Sequence, residues 1–204
     1  GLGLDLDETT IAALLKGAGY STHAVGVWQM GLLREHYPML RGFDSFYGTR
    51  DSHTAELRPS SPSLIHAQSS DYPISPSRNR RNAIMTGMPP KQVFNDEELL
   101  TEGLADRAAQ VIMDEAAGQA EEAKPFFLYV GLNAPHTPLI TTDKYYARFS
   151  HIEDHQARVY AAMISATDDA VGQVLDAIDK AGIAENTLIA FTSISGCDPV
   201  SYTH

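Results

Sequence analysis

At 204 residues and 22.2 kDa, with 43% apolar and 20% charged residues, the chain carries enough hydrophobic material for a sizeable core and lacks the composition of a disordered segment. Fifteen Lys and Arg against 26 Asp and Glu leave a net charge of −11, which argues against nucleic acid or an anionic membrane surface as the main partner, because both need clustered positive charge. The longest apolar run, 126–132, is far short of the roughly 20 residues of a membrane span, and the single Cys197 excludes an internal disulfide and a Cys-rich zinc site.

The first predicted element is a helix over 7–18. Ile11, Leu14, Leu15 and Ala18 recur at helical spacing, Asp7 or Thr9 is placed to cap the start, and Gly17 and Gly19 mark the stop. A short strand follows over 20–26, with β-branched Thr22 and Val25 inside it. A loop beginning Val27-Trp28-Gln29-Met30-Gly31 then reads onward through Pro38, Gly42 and Gly48. Residues 49–95 are rich in Ser, Pro and Arg and weak in periodicity. They read as an irregular excursion with at most small strands, and not as a linker between two domains.

Order returns at Asp96, where Leu99, Leu100, Leu104, Ala108, Val111 and Ile112 form a helical stripe ending near Gly118, followed by a solvated run over 119–124. The continuous apolar run 126–132 predicts a strand buried on both faces, ending at Asn133-Ala134-Pro135-His136-Thr137-Pro138. A short helix is predicted over 143–149. A long one over 154–181 places Tyr160, Met163, Ile164, Thr167, Val171, Val174, Leu175 and Ile178 on one face, with Gly182 to end it. Residues 187–192 read as another buried strand. This alternation implies an α/β fold with a mostly parallel sheet flanked by helices. Ligands of such sheets bind beyond the carboxyl ends of the strands, which directs attention to 27–31, 133–138 and 193–196.

The blocks at and around these strand ends resemble the sulfatase family of the alkaline-phosphatase superfamily, most closely its arylsulfatase B-like branch. They are Thr-Ile-Ala-Ala-Leu-Leu-Lys-Gly-Ala-Gly-Tyr-Ser-Thr at 10–22 running into Val25-Gly26-x-Trp28 and Gly31, then Arg41-Gly42-Phe43-Asp44-Ser45-Phe46-Tyr47-Gly48. Pro125-Phe126-Phe127-Leu128-Tyr129 and Asn133-Ala134-Pro135-His136-Thr137-Pro138-Leu139 follow. Tyr160-Ala161-Ala162-Met163-Ile164, Asp168-Asp169-Ala170-Val171-Gly172 and Glu185-Asn186-Thr187-Leu188-Ile189 complete the series, in family order. The resemblance implies an alkaline-phosphatase-like fold, incomplete at both ends, in which 1–196 is an internal part of a sulfatase N-terminal catalytic domain. It further implies hydrolysis of sulfate esters on a sulfated small molecule or glycan by a formylglycine made from Cys or Ser in Cys/Ser-x-Pro-x-Arg, a Ca2+ ion that neutralises the sulfate oxygens, and a lysosomal, secreted or periplasmic setting. His136 is the retained catalytic and substrate-contacting candidate.

Several family positions are substituted. The loop that reads Gly-Lys-Trp-His in the family is Gly26-Val27-Trp28-Gln29 here, so Val27 removes an ammonium and Gln29 an acid–base group. The family's Ser/Thr-Asp-Asn-Gly is Ser193-Ile194-Ser195-Gly196, and Ile194 and Ser195 stand where two calcium ligands belong. The family's nucleophile motif would precede Gly1. Ile74-Ser75-Pro76-Ser77-Arg78 and Cys197-Asp198-Pro199-Val200-Ser201 imitate it, but the first has Ile for the nucleophile and the second Ser for the Arg. The opening Gly1-Leu2-Gly3 carries no Met or leader pattern, and 197–204 ends in Val-Ser-Tyr-Thr-His, which resembles one reading frame of a transposase end sequence. Both ends therefore read as truncations and 197–204 as a non-native tail. The expectation is a sulfatase fragment that is itself inactive. Its alternatives are a degenerate homologue that binds sulfated glycans or a protein, or a phosphodiester or phosphonate hydrolase on the same fold. Nothing in the sequence sets an oligomeric state.

Other candidates read as structural. His151 and His155, four apart, lack a third ligand nearby and suit a solvated helix start. Asp168 and Asp169 suit a solvated or capping role, Trp28, Phe43, Phe46 and Tyr47 pack the loop onto the core, and Arg78, Arg80 and Arg81 form a solvated loop face.

Overall fold

The computed structural model describes residues 3–50, 64–67, 84–93, 100–122 and 124–193. Helix α1 (Ile11–Gly17) starts at Thr10, whose hydroxyl accepts the Ala13 amide at 3.1 Å and donates to the Arg41 carbonyl at 2.6 Å. Thr10 therefore replaces Asp7 or Thr9 as the cap. Ala12 is fully buried, while Ile11 and Leu14 are 62% and 63% exposed, contrary to the expected stripe. The reason is local: Gly42, at φ 105°, brings its backbone onto Ala12 and Ala13, and a Cβ there would overlap the Ala13 nitrogen.

Strand β1 (Ser21–Val27) leads to β2 (Ser45–Thr49), a strand inside the stretch expected to be loop. Within 49–95 the described residues form β3 (Leu64–His66), β4 (Ile84–Thr86) and β5 (Lys91–Val93). Helix α2 (Leu100–Glu122) runs through most of the expected solvated stretch and precedes β6 (Phe126–Gly131), β7 (Ile140–Thr142), the short α3 (Asp143–Tyr146) and the long α4 (His155–Lys180). Asp154 caps α4 by accepting the Ala157 amide at 2.7 Å, and Gly182, at φ 69°, follows its end. His151 lies outside that helix.

The main sheet has the order β5-β4-β2-β1-β6. Its longest strands, β2, β1 and β6, run parallel, and the β4–β5 hairpin adds antiparallel to β2. It is the mixed, mostly parallel sheet flanked by helices that the element order predicts; β3 and β7 form a separate antiparallel pair. Strand alternation divides the core. Ala24, Phe46, Phe127 and Tyr129 face α1 with Trp28, Tyr37 and Phe43, while Val25, Tyr47, Leu128 and Val130 face α2 with Leu104, Ala108 and Val111.

The buried side of α4 is Val159, Ala162, Met163, Ala166, Ala170, Ala177 and Ile178, whereas the expected Ile164 and Leu175 are exposed. Small side chains let helices approach closely, so the alanines hold positions that hydrophobicity alone assigns to larger residues. Strand β6 is half-buried along its length rather than enclosed, and it is the end strand of the described sheet. Residues 187–192 are not a strand: Leu188 is 97% and Phe191 79% exposed, and among the described residues no ladder partner lies alongside.

Two polar clamps hold the layers. His23 Nε2 donates to Glu115 Oε1 at 2.9 Å and its Nδ1 meets the Ser45 hydroxyl at 2.7 Å, joining β1, β2 and α2. On α3, the buried Tyr145 hydroxyl donates to Glu102 at 2.8 Å, and just after it Arg148 forks onto Asp169 at 2.8 and 3.1 Å. That pairing, led by the Arg148 hydrogen bonds, holds the Asp169 carboxyl below its usual range, so Asp169 is a paired residue rather than a merely solvated one.

Asp44 secures β1 to the turn before β2. Its Oδ2 accepts the Thr22 amide at 2.9 Å and the Thr22 hydroxyl at 3.0 Å, while Oδ1 pairs with Lys16 at 2.6 Å. Burial alone raises its carboxyl pKa, but the Lys16 and Thr22 hydrogen bonds outweigh this and hold it below the usual value. A depressed carboxyl stabilises the fold above its unfolded pKa, near 4, and that contribution is lost as pH falls through the folded value. Asp44→Ala leaves the buried Thr22 amide unsatisfied and is expected to cost about 1–3 kcal/mol. Lys16→Ala, which removes only a half-exposed ion pair, is expected to cost less than about 1 kcal/mol. Urea unfolding of both variants at neutral pH measures the difference, and equal losses would contradict the assignment.

Candidate functional site

Strands β1 and β6 are adjacent and parallel, with Gly26 opposite Gly131, so the segments 27–31 and 132–138 leave the sheet at the same end. Gly48 of β2 stands opposite Gly26 on the other side. The three glycines form a rung across three strands, and their backbones approach too closely for any Cβ: one on Gly48 would overlap the Gly26 carbonyl, and one on Gly26 the Gly131 carbonyl. This rung fixes the rim from which the two loops depart.

On the β1 side, the Trp28 amide donates to the Thr49 carbonyl at 2.8 Å and its indole N–H to the His36 carbonyl at 2.8 Å. The ring packs edge-on against Phe43 at 5.6 Å. Trp28, Phe43 and Phe46 are buried as the sequence predicts, while half-buried Tyr47 lies on the opposite face of the sheet. Val27 is the last residue of β1, buried and apolar, and Gln29 is exposed beyond it.

On the β6 side, Asn133 is buried and its carbonyl accepts the His136 amide at 2.9 Å, closing a turn that presents an exposed imidazole. The peptides before Pro135 and Pro138 are cis. His136 Nδ1 lies 2.6 Å from the Thr137 carbonyl. A carbonyl only accepts, so Nδ1 carries the proton of that contact.

Sequence reasoning missed Arg50, because β2 was read as loop. Its guanidinium donates to the Leu33 carbonyl at 2.7 Å and the Gly31 carbonyl at 3.3 Å and lies 5.7 Å from the Tyr37 ring centre. It braces the loop after β1 and brings a cation to the rim; burial lowers its pKa from the usual value. A basic residue one place beyond a short aromatic strand is the trace it leaves in the sequence.

The third expected segment does not join this rim as a strand end. Ser193 lies in exposed coil, and Ile194, Ser195 and the Cys197 and Ile74 look-alike motifs fall outside the described residues. Among the described residues no group of three or more His, Cys, Asp or Glu side chains could hold a metal. His155 instead meets the Tyr146 hydroxyl at 2.8 Å and His151 packs against Phe149. A calcium ion needs several oxygen ligands, so the described residues do not fit one. Among the described residues the rim brings together His136 and Arg50 without a metal cage. No described helix is long and apolar enough to cross a membrane.

The family model described as Sulfatase matches residues 3–193. The chain is 29% identical to Arylsulfatase J of Mus musculus over 202 residues, covering 97% of this chain and 30% of the relative. It is 30% identical to Arylsulfatase G of Homo sapiens, covering 95% of this chain and 37% of the relative. With N-acetylgalactosamine-6-sulfatase of Mus musculus it shares 28% identity, covering 98% and 35%. The chain thus spans about a third of the length of these curated relatives. Among solved structures, that of Ps i-CgsB in complex with k-i-k-neocarrahexaose superposes with a TM-score of 0.70 at 27% identity, covering 91% of this chain and 39% of that one. A sulfatase structure from Bacteroides fragilis superposes at 0.63 and shares the fold.

Proposed function

Because this chain belongs to the sulfatase family, with its alkaline-phosphatase-like fold, we propose that residues 1–196 are part of the catalytic domain of a sulfuric ester hydrolase. The parent acts on a sulfated small molecule or glycan, in a lysosomal, secreted or periplasmic setting, and 197–204 is a foreign tail. The observation that supports this reading is the Asn133-Ala134-Pro135-His136-Thr137-Pro138 loop, which leaves β6 beside the end of β1 and presents His136 with Nδ1 already committed.

In this reading Nε2 of His136 meets a sulfate oxygen, donating when the ring is protonated. The Thr137 carbonyl orients the ring, and Arg50 contributes positive potential at the rim of an otherwise acidic chain. Val27 offers no charge where the family has Lys, and Gln29 moves no proton where it has His. The family's Ca2+ has no ligand set among the described residues, and the formylglycine nucleophile is absent from this sequence, so neither is assigned a step. In this reading the parent hydrolyses sulfate esters and the chain as it stands is inactive. A second reading, a degenerate homologue whose role is binding alone, is favoured by one observation: Val27 is packed into the core as an ordinary apolar strand residue.

His136→Ala is expected to weaken binding of 4-nitrophenyl sulfate by roughly tenfold, the scale of one charge-assisted hydrogen bond. Calorimetric titration of the purified chain measures this. Unchanged affinity would remove His136 from the site.

A further inference from the structure

A shallow groove of about 470 Å³ lies on the α2 face of the sheet, lined by Tyr47, Thr86, Gly103, Asp106, Arg107 and Gln110 and by no residue of the His136 loop. The α2 positions recur at helical spacing beside the buried stripe of Leu100, Leu104, Ala108 and Val111, with Gly103 and Arg107 half-buried and Asp106 and Gln110 exposed at the rim of the groove. Tyr47 and Thr86 are cross-strand partners on β2 and β4 and form the floor.

Arg107 is the unusual member. Arg41, Arg50, Arg148 and Arg158 donate to carbonyls or carboxylates, whereas Arg34, also without a described side-chain partner, is exposed to solvent. Among the described residues Arg107 makes no hydrogen bond or ion pair; its guanidinium lies 5.7 Å from the Tyr47 ring centre, and its buried Nε has no acceptor. Asp106, on the same groove, accepts from the Gln173 amide and makes no described ion pair with Arg107. A half-buried guanidinium held against an aromatic ring, with its donors unused, is incomplete until an anion meets it. Gln110 donates an amide N–H to Asp114 and keeps its carbonyl oxygen, and among the described residues the Thr86 hydroxyl makes no hydrogen bond, so both are placed to meet hydroxyl groups.

The geometry points to a second, non-catalytic subsite here for a sulfated saccharide unit, with a sulfate on Arg107 and ring hydroxyls on Thr86 and Gln110. This rests on the proposed action on sulfated substrates, and it extends that reading to a polymer held at two places.

The test is calorimetry with a sulfated galactan hexasaccharide, its desulfated counterpart and an oligogalacturonate of equal length, on the full chain. In a His136→Ala background, the sulfated hexasaccharide is expected still to bind. Adding Arg107→Met is expected to weaken it roughly tenfold, with Arg107→Lys intermediate, because Lys keeps charge but not the planar fork. Urea unfolding confirms that each variant folds. Binding unchanged by Arg107→Met, or lost entirely with His136→Ala alone, overturns the subsite and leaves the family reading standing. Absence of any sulfate-dependent binding by the unmodified chain overturns both. Equal affinity for the oligogalacturonate overturns the assignment to sulfate.

Discussion

Gly48→Ala is expected to abolish the native fold or to cost more than about 3 kcal/mol, the range of severe overpacking. A Cβ at Gly48 would overlap the Gly26 carbonyl, and Gly26 is itself held against Gly131. The obstruction is backbone on a central strand, so no side-chain rotation relieves it; β1 and β2 would have to separate where their ladder is continuous from His23–Ser45 to Val27–Thr49. The sign reverses at glycines with room. Gly118 in α2 and Gly172 in α4 have nothing within 4 Å of an added Cβ, so Ala at either is expected to stabilise by about 0.5–1 kcal/mol through helix propensity. Circular dichroism and urea unfolding compare the three. A Gly48→Ala protein within 1 kcal/mol of the parent would contradict the rung.

The second large effect is catalytic. The purified chain is expected to hydrolyse 4-nitrophenyl sulfate no faster than buffer, with or without calcium, whereas enzymes exceed the uncatalysed rate by on the order of 10⁶-fold or more. Val27→Lys with Gln29→His, which rebuilds the family loop, is expected to tighten binding of the ester while leaving turnover at background. Positioned cations and acids stabilise charge, but a covalent route needs its nucleophile. Turnover by either protein, sensitive to His136→Ala, would contradict the reading of the chain as an inactive fragment.

The sequence carried much of this, but unevenly. Helices α2 and α4 and strands β1 and β6 were readable, because each has long apolar periodicity or a continuous apolar run. The positions of Gln29 and His136 beyond strand ends followed from element order, whereas Val27, expected to open the loop, is the last residue of β1. Less visible was whatever depends on close approach. Gly26, Gly48 and Gly131 are scattered through the chain, and nothing local says that they meet. The alanines of α4 were passed over for Ile164 and Leu175, because hydrophobicity weights size and helix packing rewards its absence. Strand β2 was hidden by its flanking glycines, and with it went Arg50. Residues 187–192 have the sequence of a strand, but a strand also requires a neighbour, and no described one lies beside them.

Sequencing the source locus across both ends of this chain tests the central claim most directly. An upstream Cys or Ser followed by x-Pro-x-Arg is expected, with Asp-Asn in place of Ile194-Ser195. A genuine stop at His204 with no such motif upstream would contradict it, and the protein would then be a degenerate homologue whose function is binding alone.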